Sequence, residues 1–315
     1  MLSRCVWGFV LLWTIGESSL SSSLAADPKP SFTRASDVIY GRKHGTALTM
    51  DVFKPAGQSN GLGLIFVVSG GWFSSHDAIN NAFVEPFTKR GYTVFAVVHG
   101  SQPKFTIVEV LEDMNRAVRY IHAHAKDYSV DPDRLGIYGA SAGGHISLMQ
   151  GTAGTPGNPQ AKDPVDRESS RVASVACFFP PTDFLNYGKP GEDALGRGIL
   201  AAFGAAFDFQ EWNDKTKRFD DVTDASKLQE IAKKISPIYL VSSDDPPTFI
   251  IHGDADKLVP IQQAESFLSK LKDSGVKTKL EVKPGAAHGW GDLVKDIDKL
   301  ADWFDETLKP QPKTP

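Results

Sequence analysis

Polar and apolar positions along the 315-residue chain fall into two rhythms that take turns. Residues 47–53 (ALTMDVF) alternate, which predicts a half-buried antiparallel strand. Pro55 and the Gly-rich GQSNGLG after it predict a hairpin link. Residues 64–69, 93–99 and 172–179 are apolar runs, the mark of strands buried on both faces. Residues 135–138, 248–252 and 279–282 read as further strands. Between them lie helical segments. Residues 80–90 end at Gly91, and 141–150 follow a strand directly. In 107–125, Ile107, Leu111, Met114, Val118, Ile121 and Ala125 make one apolar stripe. Ala264, Phe267, Leu268 and Leu271 stripe 262–271, and Val294, Ile297, Leu300, Phe304 and Leu308 stripe a last helix.

Strand–helix alternation predicts an α/β fold, a mostly parallel sheet with helices on both faces, over residues 37–309. Within it the pattern weakens from 186 to 234, where Gly, Asp and Lys interrupt short helical pieces; this is expected to be a small cap inserted over the sheet. Residues 27–36, rich in Pro and Ser, are expected to be a tether, and 310–315 a disordered tail. Ligands in such sheets sit beyond the carboxyl ends of strands. Four places lie there: Ser69-Gly70-Gly71-Trp72, Ser141, Asp256 and His288.

Composition adds limits. A net charge of −4 without any basic stripe argues against nucleic acid as a partner. The N-terminus has one arginine, an apolar run of roughly 11 residues, too short for the ~20 of a membrane span, and a small-residue stretch ending in Ala25-Ala26. That is the layout of a secretory leader, residues 1–26, with export to a periplasm or the extracellular space and no stable membrane span after cleavage. A monotopic anchor or a buried first helix is the alternative. Cys5 would leave with the leader, and Cys177, in the apolar VASVACFF, would remain alone as a buried thiol. His122 and His124 in IHAHA face different sides of a helix and make a poor metal pair. No zinc-like cluster is apparent, and neither metal nor cofactor is expected.

Residues 139–143 read Gly-Ala-Ser-Ala-Gly, a G-x-S-x-G motif in the strand-to-helix context it requires. A serine exposed on so sharp a turn takes a strained backbone, and bulky residues two positions either side would collide across it. The helix opening there adds positive potential near the hydroxyl. A serine hydroxyl is a poor nucleophile without a base, and the base needs an orienting acid. The second half of the chain supplies both types. FIIHGDADKLV carries Asp254 and Asp256 after one strand, and PGAAHGW carries His288 after the next. Singly, His288 fits a surface histidine, and either aspartate fits turn chemistry. Together, in this order, they predict a nucleophile–acid–base set. His252 precedes the acid and ends a strand, which suits a backbone or loop hydrogen-bonder. His145, four residues past Ser141, points inward and reads as structural.

SGGW, LEDMNRAVRYIHAHAKDYSVDPDRLGIYGASAGGH, SPIYLVSSDDPPTFIIHGDADKLVP and GAAHGW together resemble the α/β-hydrolases. They are closest to the acetylesterase/lipase group beside the hormone-sensitive-lipase-like esterases, over roughly residues 36–308. The resemblance implies a serine esterase, with Ser141 as nucleophile, Asp256 rather than Asp254 as acid, and His288 as base. The amide of Ala142 and, from the family's His-Gly-Gly loop, those of Gly71 and Trp72 would form an oxyanion hole. Ser69 stands where that family usually carries a histidine thought to brace the loop. Trp72, Phe73 and Trp290 are candidates for an acyl or alcohol pocket, with core packing the alternative. The implied substrate is a small-molecule or carbohydrate ester, short-acyl or acetyl. A prolyl-oligopeptidase-type peptidase and a catalytically silent binding protein on the same fold are the rival readings.

Overall fold

The computed structural model describes residues 31–309. The leader assigned to 1–26, the tether as far as residue 30 and the tail 310–315 lie outside the described residues. Within them, the strands are β1 (Phe32–Lys43), β2 (Thr46–Pro55), β3 (Gly63–Val67), β4 (Thr93–Val98), β5 (Leu135–Ala140), β6 (Ser174–Phe178), β7 (Gln210–Asn213), β8 (Arg218–Asp221), β9 (Thr248–Gly253) and β10 (Thr278–Lys283). The helices are α1 (Glu85–Lys89), α2 (Ile107–Ala123), α3 (Ala125–Tyr128), α4 (Ala142–Ala153), α5 (Ala225–Lys234), α6 (Gln262–Asp273) and α7 (Leu293–Leu308). Eight strands form one sheet in the order β1-β2-β4-β3-β5-β6-β9-β10. Within that sheet only the β1–β2 and β2–β4 pairings are antiparallel.

Alternation along the buried strands sorts their side chains onto two cores. Ile65, Val67 and Ile137 join Met114, Ile121, Ile146 and Phe267 from α2, α4 and α6 on one face. Leu64, Phe66 and Tyr138 join Phe87 from α1 and Ile297, Leu300 and Phe304 from α7 on the other. Helices therefore cover both faces, as the alternation requires. Among the described residues no helix is long and apolar enough to cross a membrane.

Two expectations are corrected, and the insertion gains detail. Residues 32–36 are not tether but the start of β1, which the exposed, poorly alternating FTRASDVIYGRK conceals. Polar contacts to the wholly buried Asp51 hold this strand: the Arg34 Nε donates to Oδ2 at 2.6 Å and the Asp37 amide to Oδ1 at 3.0 Å. The Pro55–GQSNGLG stretch is no hairpin, because β4 lies between β2 and β3. The 186–234 insertion holds a β7–β8 hairpin and a 3-10 segment, Gly198–Phe207. Its Leu200, Ala206 and Phe207 enter the core beside Trp72 and Phe184. A cavity of about 870 Å³ separates the insertion from α2 and α4, lined among others by Phe105, Glu112, Met149, Phe209 and Phe219.

The β5–α4 joint is built from absent side chains. A Cβ on Gly139 would lie 2.6 Å from the Gly143 carbonyl carbon, and one on Gly143 would lie 2.7 Å from the Val67 carbonyl oxygen of β3. The helix thus starts hard against both its own strand and the neighbouring one. Ser141, between them, is forced to φ 55° and ψ −120°, a region L-residues rarely adopt.

Two predictions follow from this packing. Gly143→Ala is expected to destabilise the fold by about 1–3 kcal/mol or more, since backbone and not a flexible side chain must yield. Gly57→Ala, whose Cβ would meet nothing within 4 Å, should stay within about 0.5 kcal/mol; urea unfolding of the pair reads the difference. Acid sensitivity comes from two fully buried imidazoles. Burial depresses both His99 and His145 from 6.5 to about 4, against the opposing pull of hydrogen bonds to the Gly100 and Ile235 carbonyls. Between those values the unfolded chain binds more protons than the folded one, so stability falls as pH falls through that window. The loss is on the order of 3 kcal/mol for each histidine, and unfolding midpoints between pH 7 and pH 4 measure it.

Candidate active site

Three loops beyond the carboxyl ends of β5, β9 and β10 meet. Ser141 occupies the β5–α4 joint, its amide donating to the Phe178 carbonyl of β6 at 2.9 Å. Asp256 follows β9, and His288 follows β10. The last two loops are pressed together because Gly253 has no side chain: a Cβ there would stand 2.3 Å from the Ala286 carbonyl oxygen. Ala255 donates to that same oxygen at 3.0 Å. Asp254 fastens the junction, its Oδ1 accepting from the Gly285 amide at 2.6 Å. Spacing left two aspartates open for the acid and the resemblance chose Asp256; the structure places Asp254 in this exposed staple and Asp256 beside His288.

The geometry is continuous. Asp256 Oδ2 lies 2.7 Å from His288 Nδ1, and His288 Nε2 lies 2.9 Å from Ser141 Oγ. A carboxylate accepts, so Nδ1 carries the proton and Nε2 presents a lone pair to the serine hydroxyl. Asp256 Oδ1 accepts from the amides of Leu258 and Val259, each at 2.9 Å. Burial alone would raise this carboxyl. The nearby His252 and His288 imidazoles and the Val259 amide outweigh it and hold the group well below the usual carboxylate range. The carboxylate is therefore ionised wherever the protein is folded at ordinary pH. His252 is the loop hydrogen-bonder expected of it: its Nε2 donates to the Val259 carbonyl at 2.8 Å. Exposure rises along the chain of bonds, from an Asp256 side chain that is wholly buried to a His288 imidazole that is 21% exposed.

The Ser69–Trp72 stretch forms a tight turn. Gly70 and Phe73 exchange hydrogen bonds, N to O at 3.0 Å and 2.9 Å. Both central residues are left-handed, Gly71 at φ 56° and Trp72 at φ 59°. Among the described residues the amides of Gly71, Trp72 and Ala142 donate to no protein acceptor. Ala142 is the first residue of α4, where an unpartnered N–H and the helix dipole favour negative charge.

The three aromatic pocket candidates separate. The Trp72 side chain is core: it is 2% exposed, and its Nε1 donates to His145 Nδ1 at 3.1 Å. It cannot line an open pocket, because the turn's left-handed backbone aims it inward. Phe73 is exposed. Trp290 is half-buried, pinned by Nε1 donation to Asp296 Oδ2 at 2.7 Å and edge-on to Phe179. Phe179 escaped the sequence reading. It follows β6 directly, with φ 36°, and lies 4.5 Å from the His288 ring, centroid to centroid; nothing in the FFPP run that contains it signals such a role.

Cys177 is buried in β6, and burial pushes its thiol up, away from the reactive thiolate. The expectation of no metal-like cluster needs one qualification: Asp37, Asp51 and His76 lie within 4.8 Å of one another. Arg34 already faces Asp51, and both His76 nitrogens face polar oxygens of Asp37, Asp51 and Thr49. The group is an ion-pair clamp between β1, β2 and the loop before α1.

Known proteins resemble this chain. "Probable carboxylic ester hydrolase LipM" of Mycobacterium tuberculosis is 28% identical over 240 residues, 75% of this chain and 51% of the relative. The chain spans about half the length of the curated relatives it matches. Among solved structures, "Truncated form of carbohydrate esterase from gut microbiota" superposes with a TM-score of 0.71 at 23% identity, over 89% of this chain and 98% of that one. The acetyl ester-xyloside bifunctional hydrolase from Caldicellulosiruptor lactoaceticus gives a TM-score of 0.69 at 22% identity, over 86% and 96%. The fold they share with this chain is the α/β-hydrolase fold. A family model described as BD-FAE matches residues 50–271, from β2 to α6 and including both Ser141 and Asp256. With most of its length so matched, the chain belongs to the BD-FAE family.

Proposed function

We propose that the protein hydrolyses carboxylic esters, with Ser141 as nucleophile, His288 as general base and acid, and Asp256 as the group that orients and compensates the imidazole. The observation that carries this reading is the unbroken hydrogen-bond chain from the buried Asp256 carboxylate through His288 to Ser141. Ser141 Oγ attacks the ester carbonyl as its proton passes to His288 Nε2. Negative charge gathers on the former carbonyl oxygen, where the amides of Ala142, Gly71 and Trp72 are the proposed donors. Collapse of the tetrahedral adduct breaks the bond to the alcohol oxygen, which takes the proton from His288. Water, deprotonated by the same nitrogen, then attacks the acyl-serine, and the acid leaves with Ser141 restored. No step needs a metal or an electron carrier.

A short-acyl or carbohydrate ester is the proposed substrate class. The esterase names among the relatives and the printed titles of the structural neighbours support that direction. Export is proposed on the leader-like residues 1–26.

On p-nitrophenyl esters from acetyl to octanoyl, turnover is expected to peak at the short end. Ser141→Ala should lower kcat by roughly 10⁴-fold or more, and Asp256→Asn by about 10⁴-fold with little change in KM, since the imidazole loses its tautomer and its counter-charge. Turnover that persists in Ser141→Ala would overturn the reading.

A further inference from the structure

The turn holding two of the proposed oxyanion donors is closed by its own Gly70–Phe73 hydrogen bonds but carries strain within it. Trp72 is a bulky residue in the left-handed region, at φ 59°, where a side chain normally disfavours the backbone. Ser69 does not hold it: the Ser69 Oγ is buried without a hydrogen-bond partner among the described residues. In the family this chain resembles, a histidine at that position is the expected brace.

The Trp72 side chain supplies the restraint instead. An indole N–H only donates, so the His145 Nδ1 that receives it at 3.1 Å is unprotonated. His145 Nε2 therefore carries the proton and donates it to the Ile235 carbonyl at 2.7 Å. His145 is wholly buried on α4 one turn beyond Ser141, and its amide donates to the Ser141 carbonyl at 2.9 Å. Phe184, Phe203 and Phe207 pack around the indole at centroid distances of 5.8, 6.2 and 5.2 Å. Gln102 holds the other side. Its Nε2 donates to the Gly71 carbonyl and its amide to the Trp72 carbonyl, each at 3.2 Å. In a trans peptide the C=O and N–H point opposite ways, so a Gly71 carbonyl turned to Gln102 turns the Trp72 N–H away from it.

We propose that Trp72 and His145 form the brace that fixes the oxyanion turn against the nucleophile's own helix, replacing a histidine at position 69. Both are positioning residues here, Trp72 through its indole and His145 through Trp72. The inference rests on the ester-hydrolase reading. It also gives the insertion a part, since Ile235 follows α5, and Phe203, whose ring fills the space a Gly71 side chain would need, belongs to the 3-10 segment.

The test compares Trp72→Phe, which keeps a ring but loses the N–H, with His145→Leu, His145→Gln and the Trp72→Phe/His145→Leu double variant. Active sites are counted with a fluorophosphonate, so that kcat is expressed per competent Ser141. Each loss variant should lower that kcat by about tenfold to a hundredfold with KM within about threefold. Each should weaken a trifluoromethyl ketone, which forms an oxyanion adduct on Ser141, by the same factor. The double variant should be no worse than the worse single one, and His145→Gln, which keeps an acceptor and a donor, should recover most of the rate. If only the fraction of competent sites or the Tm falls, with kcat per site and ketone affinity unchanged, the brace is overturned and the residues are merely structural. Effects that multiply in the double variant overturn it as well. Ser141→Ala, run beside them, separates the failures: residual turnover there removes the reading beneath the proposal, whereas loss there with full activity in Trp72→Phe removes the brace alone.

Discussion

The backbone of Ser141 is where the constraints of this molecule converge. Its conformation costs on the order of 1–3 kcal/mol and persists because the surroundings allow no other. Gly139 and Gly143 touch across the turn, Gly143 abuts the Val67 carbonyl of β3, and the Ser141 amide is taken by Phe178 of β6. Three adjacent parallel strands thus specify one residue. The arrangement requires β5 to lie between β3 and β6 in a sheet whose helices press from both faces, so strand order and serine geometry are one requirement seen at two scales.

The acid–base arm is specified differently, by polar satisfaction. A carboxylate removed from water is tolerated only when its oxygens are answered. Asp256 receives two backbone amides on one oxygen and His288 on the other. The same bonds that make its burial tolerable also select the imidazole tautomer. The contact of Gly253 with Ala286 then sets the distance between the two loops, so the geometry does not depend on long side chains finding each other.

Much of this was legible because the physics is local. An apolar run bounded by turns reads as a buried strand, and β3, β4, β5, β6 and β9 fell where such runs lie. Glycine two positions either side of Ser141 announced the sharp joint. β1 was hidden because its anchoring is polar and distant in sequence: Arg34 and Asp37 answer to Asp51, and no periodicity in FTRASDVIYGRK encodes that. The β7–β8 hairpin was hidden because its strands are four residues long and exposed. Asp254 and Asp256 both meet the loop after β10, one at Gly285 and the other at His288, and spacing alone does not say which. Trp72 misled for a related reason: an aromatic beside a glycine turn looks like a pocket wall until the sign of φ turns it inward.

The strand order has a thermal corollary. β5, carrying Ser141, is paired on both sides, whereas β10, leading to His288, is the last strand and pairs only with β9. Its exposed Lys279, with the charged, part-buried Glu281 and Lys283 beyond it, blunts that rim against strand addition by another molecule. The proposed base therefore hangs from an edge strand and the nucleophile from an enclosed one. Local opening belongs to weakly cross-linked elements, so of the two arms of the proposed triad, the one carrying the base is expected to loosen on warming before the sheet beneath Ser141.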